Sequence, residues 1–111
     1  MELKLHKKNN TEMVIEINGS LDVYTSMDFK EFLEKNVEAQ TKNVILNMKN
    51  LTYIDSSGIG TLIKEMNFTK DMGGELILTH MKPQIEKVLK ISGLTTFFAT
   101  MGDEEFDSKY S

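Results

Sequence analysis

The chain has 111 residues, a formal net charge of −4 and no cysteine. That length suits one domain with a real core and leaves no room for a separate catalytic domain. The acidic balance argues against a nucleic-acid partner, and the missing thiols exclude disulfides and thiolate metal sites.

Leu3 and Leu5 alternate with polar residues, and after Lys7-Lys8-Asn9-Asn10 the alternation resumes at Met13, Ile15 and Ile17. Period-two alternation on both sides of a polar turn predicts a β-hairpin. Asn18-Gly19-Ser20 is expected to break the second strand. Phe29, Phe32, Leu33 and Val37 then share one helix face, with Thr25 or Ser26 as N-cap and Asp28 in the first turn. Val44-Ile45-Leu46-Asn47-Met48 is almost continuously apolar, as in a central strand covered on both faces. A short connection, Lys49 to Ile54, leads into Asp55-Ser56-Ser57-Gly58-Ile59-Gly60 and then a helix from Thr61 to Met72. Gly73-Gly74 supplies its C-cap and loop. Glu75 to Thr79 reads as a strand. Pro83 suits the first position of a helix whose apolar face is Ile85, Val88 and Leu89, and Ser92-Gly93 stops it. Thr95 to Ala99 reads as a last short strand. The acidic tail, residues 102–111, is expected to fray or to form a short terminal helix.

The expected order is ββαβαβαβ over a single domain, residues 1–111. Alternating strands and helices call for a layered α/β fold with right-handed parallel crossovers, and the opening hairpin makes the β-sheet mixed. No apolar run approaches the roughly 20 residues of a membrane span. The N-terminus shows no apolar signal-peptide region, so a cytoplasmic location without membrane contact is expected. The sequons at Asn9, Asn50 and Asn67 are then chance matches.

The stretch Asp55 to Gly60 places an acid, two hydroxyls and two glycines where a strand hands over to a helix. The first N–H groups of a helix lack intrahelical partners, and the helix dipole makes that end positive. Ser56 or Ser57 is therefore either a plain cap or a hydroxyl built to carry phosphate. Two glycines there cost roughly 1 kcal/mol each relative to alanine, which a pure cap does not need. Asp22 and Thr25 form a second constellation, either capping the preceding helix or adding a carboxylate and a hydroxyl to the Asp55 surface. His6 and His80 have no acid or nucleophile at motif spacing, and the eight methionines read as core filler. At about 100° per residue, Ile59, Leu62, Ile63 and Met66 fall in a narrow arc and Phe68 on its far side. Phe68 either packs under a loop or forms an exposed apolar anchor for a partner.

Taken together, these segments resemble the STAS domain, and in particular the bacterial anti-sigma factor antagonists. Tyr53-Ile54-Asp55-Ser56-Ser57-Gly58-Ile59-Gly60 is similar to the family's phosphorylation signature, and Gly19-Ser20-Leu21-Asp22-Val23-Tyr24-Thr25 to its Gly-x-Leu-Asp-x-x-Thr segment. Val44 to Met48 with Leu51, Gly73-Gly74-Glu75-Leu76 and Ser92-Gly93-Leu94 match further landmarks, so the resemblance runs from Met13 to Phe98. It implies a STAS-like fold and an antagonist that is not itself an enzyme. It implies phosphorylation of Ser56, the serine after Asp55, by an anti-sigma factor that is a serine kinase, with Ser57, Gly58 and Gly60 framing the site. The unphosphorylated chain would bind that kinase and free the sigma factor, and a metal-dependent serine phosphatase would restore the binding form. Asp22, Thr25 and Phe68 are the expected partner contacts, Asp22 either touching the kinase or orienting Ser56. No metal or cofactor is expected.

Three other readings compete. A receiver-like domain would carry phosphate on Asp55, but needs an acidic pair after its first strand, which this chain lacks. An enzyme with Ser56 as nucleophile would need a base in reach. A STAS subunit of a larger signalling or transport assembly would share the fold without being phosphorylated.

Overall fold

In the computed structural model, which describes residues 1–110, the alternating N-terminal residues form an antiparallel pair. Strand β1 (Glu2–Lys7) pairs with β2 (Glu12–Leu21) from Glu2↔Asn18 to Lys7↔Met13. Asn9 closes the turn, its Oδ1 accepting from the N–H groups of Thr11 and Glu12, each at 2.9 Å.

Asn18-Gly19-Ser20 does not end β2, contrary to expectation. Gly19 takes φ +111 and the pairing register shifts at that point. Beyond it β2 pairs in parallel with β4 (Leu51–Ile54), Ser20↔Tyr53 and Leu21↔Ile54. Glycine tolerates this backbone, so one strand serves two sets of neighbours. The connection expected at Lys49 to Ile54 thus contains a strand. Its outer residues are buried and its inner pair exposed, so it carries no period-two signal.

The remaining strands are parallel: β2 to β3 (Asn43–Asn47), β3 to β5 (Glu75–Thr79) and β5 to β6 (Ala99–Met101). The main path is β1-β2-β3-β5-β6, with β4 beside β2, so the sheet is mixed as expected. The last strand begins at Ala99, not Thr95. Gly93 at φ +74 and a turn closed by Phe97 N–H donating to Leu94 O at 3.0 Å occupy the residues before it.

Alternation sorts the strand residues onto two faces. Met13, Ile15, Ile17, Val44, Leu46, Leu76 and Leu78 meet Phe29 and Leu33 of α1 (Ser26–Asn36), Leu62 of α2 (Ser56–Asp71) and Ile85 and Leu89 of α3 (Pro83–Ile91). Val14, Ile45 and Ile77 point the other way, onto Phe106 and Tyr110 of α4 (Asp103–Tyr110). The continuous apolar run of β3 is therefore covered on both faces. Of the two outcomes expected for the acidic tail, the helix is the one observed. Phe106 and Tyr110, one turn apart, face the sheet while the acids face water. Tyr110 donates its hydroxyl to Glu12 at 2.6 Å, and His80 sits edge-on to Phe106 with Nε2 2.9 Å from Asp107. Among the described residues no helix is long and apolar enough to cross a membrane.

Candidate functional site

The strand-to-helix handover is tighter than its residues suggest. Helix α2 begins at Ser56, so both glycines lie inside the helix and not in a turn before Thr61. Its N-cap is Asp55, not a serine. Asp55 is extended, and its Oδ1 accepts from Gly58 N–H at 2.9 Å. Its Oδ2 accepts from Val23 N–H at 3.3 Å, so one carboxylate caps the helix and ties down a neighbouring loop. The cap frees the serines. Ser56 and Ser57 are exposed, and neither hydroxyl makes a hydrogen bond among the described residues. With Gly58 N–H on the cap and Ile59 N–H on Asp55 O, the N–H groups of Ser56 and Ser57 remain as open first-turn donors. A hydroxyl so placed can accept a phosphoryl group without disturbing the fold, because the helix end tolerates the new charge.

The glycines answer to different neighbours. A Cβ on Gly58 would lie 2.2 Å from the Leu21 carbonyl oxygen, so α2 presses directly on the end of β2. Gly60 meets nothing within 4 Å. Its absent side chain leaves an open patch beside the serines.

The loop that receives the Asp55 bond is held by its own polar side chains. Asp22 Oδ1 accepts from Tyr24 N–H at 2.9 Å and Thr25 N–H at 3.2 Å. Thr25 Oγ1 donates to Ser20 O and accepts from Asp22 N–H, both at 2.9 Å, and Ser26 Oγ donates to Asp22 O at 2.6 Å. Thr25 occupies the N-cap position of α1 but makes no side-chain cap bond, because its hydroxyl is committed to the loop. These bonds hold Asp22 and Thr25 within the loop and lift Val23, Tyr24 and Met27 into solvent, Tyr24 to 88% exposure. The Val23 to Asp55 contact puts this loop and the Ser56 turn on one surface, at the carboxyl ends of β2 and β4.

Phe68 does not lie opposite the core, as its helical phase suggested. It is half-buried and packs against the main cluster. The buried line of α2 is Gly58, Leu62, Glu65 and Thr69, rotated from the expected arc because the helix packs on α1 as well as on the sheet. The exposed apolar side chains at this end are instead Val23, Tyr24, Met27 and Tyr53. The polar members of the buried line escaped the sequence reading, which followed apolar residues only. Burial, and then Glu34 on α1, push the Glu65 carboxyl up to about 8. His80 finds its acids on α4, and His6 lies 3.5 Å from Glu16, so both imidazoles are engaged away from Ser56.

A family model described as the STAS domain matches residues 2–107. The chain is 28% identical over 83 residues to the anti-sigma F factor antagonist of Paenibacillus polymyxa, covering 74% of this chain and 71% of that one. It is 28% identical over 80 residues to the anti-sigma-B factor antagonist of Staphylococcus aureus strain NCTC 8325 / PS 47, covering 72% and 74%. Its fold matches SpoIIAA with a TM-score of 0.72, both in the unphosphorylated form (21% identity, 96% of this chain and 94% of that one) and in the phosphorylated form from Bacillus (23%, 99% and 100%).

Proposed function

The chain belongs to the STAS family, and on that premise we propose that it is an anti-sigma factor antagonist switched off by phosphate on Ser56. Two relatives are named anti-sigma factor antagonists, and SpoIIAA exists in both phosphorylation states. The observation that carries the reading is the exposed Ser56 hydroxyl, unbonded among the described residues, at a capped helix start beside a loop braced to present Tyr24.

In the unmodified state an anti-sigma factor docks on this surface and releases its sigma factor. Val23, Tyr24 and Met27 supply apolar contact, and the bare backbone at Gly60 lets the partner come close. The partner is itself a serine kinase. Ser56 Oγ attacks the γ-phosphorus of ATP, the bond to the bridging oxygen breaks, ADP leaves, and the hydroxyl proton passes to a base on the kinase. The phosphoserine carries about −1.5 to −2 charges near pH 7. The end of α2 bears that charge in water, but within the docked interface it is desolvated beside Asp22 and Asp55. Binding is lost while the fold persists. A metal-dependent serine phosphatase hydrolyses the ester and restores the binding form. The chain is thus a substrate and a binding partner, acting in the cytoplasm where sigma factors work.

Incubation with the cognate kinase and ATP, followed by phosphopeptide mapping, tests the assignment. An acid-stable phosphate on Ser56 is expected. Acid-stable phosphate on Ser57, or acid-labile phosphate on Asp55, would contradict it.

A further inference from the structure

Glu65 is the most deeply buried charged side chain on α2, at 1% exposure, and its Oε1 has no hydrogen-bond partner among the described residues. It meets a second carboxyl, that of Glu34 on α1. Two carboxylates can only accept, so a hydrogen bond between them needs a proton. Lys30 Nζ lies 3.2 Å from Glu34 Oε1, and burial, the first cause of the raised Glu65 carboxyl, favours the proton on Glu65. The surroundings offer little else. Lys64 on α2 acts from its own helix, β4 brings no charged residue, and the one acid of β5, Glu75, is exposed at the strand's start.

The position of the pair gives it leverage. Helices α1 and α2 leave the same end of two parallel strands and lie side by side. At 1.5 Å per residue, Glu34 lies about 12 Å along α1 from Ser26, and Glu65 about 13 Å along α2 from Ser56. The pair therefore bridges the helices at matching depth beneath their N-termini. At those N-termini, the side-chain link between loop and turn is the long 3.3 Å bond from Val23 N–H to Asp55.

We propose that Glu34 and Glu65 form a proton-dependent clasp that sets the spacing of α1 and α2, and thereby the seating of the Val23–Met27 loop against the Ser56 turn. With the proton present, Glu65 donates to Glu34 and the helices stay closed. When Glu65 gives its proton to solvent, its buried negative charge faces the half-buried Glu34 carboxylate, and the helices relieve the repulsion by parting. The docking surface is then seated below mildly alkaline pH and loosened above it. This regulation rests on the reading of that surface as the docking face, but its test needs no partner.

Carboxyl-carbon and amide NMR of the full chain from pH 4 to 10 is the direct measurement. The Glu65 carboxyl is expected to titrate near pH 8, with the amides of Val23, Tyr24, Ser56 and Ser57 shifting along the same curve. Glu65→Gln should abolish that alkaline step at all four amides. Glu34→Gln, which keeps Glu65 titratable, should move its midpoint down towards the ordinary carboxylate range. An ordinary midpoint for Glu65 in the unaltered chain overturns the clasp. So do flat loop amides while Glu65 titrates, or an alkaline step that survives Glu65→Gln. A working clasp in a chain that binds no anti-sigma factor would refute the proposed function alone.

Discussion

Gly58 and Gly60 stand in the same helical turn, and alanine at each should have opposite consequences. At Gly58 a methyl group collides with the Leu21 carbonyl at 2.2 Å, so the helix must lift off β2. Gly58→Ala should cost roughly 1–3 kcal/mol by overpacking. At Gly60 the methyl meets nothing, and Gly60→Ala should gain up to about 1 kcal/mol from helix propensity. Urea midpoints of the two variants check this; equal shifts would show that Gly58 is not wedged. If Gly60 is bare for a partner's sake, the stabilised variant should also bind more weakly. In the sequence these glycines and serines were legible as a special site. Their division of labour was not, because it depends on which neighbour each residue meets. Asp55 makes the cap that was one of two readings for a serine, and Phe68 is half-buried against the core, the packed one of its two readings.

Periodicity exposed those elements that have one wet face and one dry face. Strand β1, α1 and α3 carried that signal, unlike β3, which is covered on both faces and showed instead as a continuous apolar run. Strand β4 did not, since its four residues pack at their ends and not alternately. Helix α4 did not, since its acids masked the Phe106 and Tyr110 pair that docks it. Phe106→Ala should cost roughly 3–5 kcal/mol if α4 folds as part of the domain. Amide exchange should then show α4 opening together with the Val14 and Ile45 strands it covers; fast exchange of α4 in the unaltered chain would show that it is not docked. The helix pair gives a separate prediction in pH. The Glu65 carboxyl rises from 4.5 to about 8 in the folded state, first through burial and then through Glu34. Between those values the folded chain binds more protons than the unfolded one, so stability falls as pH rises. The contribution is complete below about pH 4.5 and gone once pH passes about 8. Thermal melts from pH 4.5 to 9 should show a decline that Glu65→Gln flattens, and parallel curves would sink the assignment.

At the scale of the whole molecule the fold is a braced platform for a small, replaceable charge. Helices cover both faces of the sheet, and the loop and helix start that meet at its carboxyl end are pinned by Asp22, Thr25 and Asp55. The layered α/β class was readable from the order of elements. The meeting of the Asp22 loop with the Asp55 turn was readable only as an expectation, because parallel strands bring distant residues to one end without any local signal. Such a platform allows phosphate to change binding without changing the fold, so phosphorylated and unmodified chains should melt within a few degrees of each other. The most direct measurement is the affinity of the cognate anti-sigma factor for three forms of the chain: unmodified, Ser56→Ala, and phosphorylated on Ser56. The first two should bind alike, and the phosphorylated form should bind roughly a hundredfold more weakly, as a like-charge clash in an interface demands. Equal affinity of the phosphorylated and unmodified forms would contradict the switch.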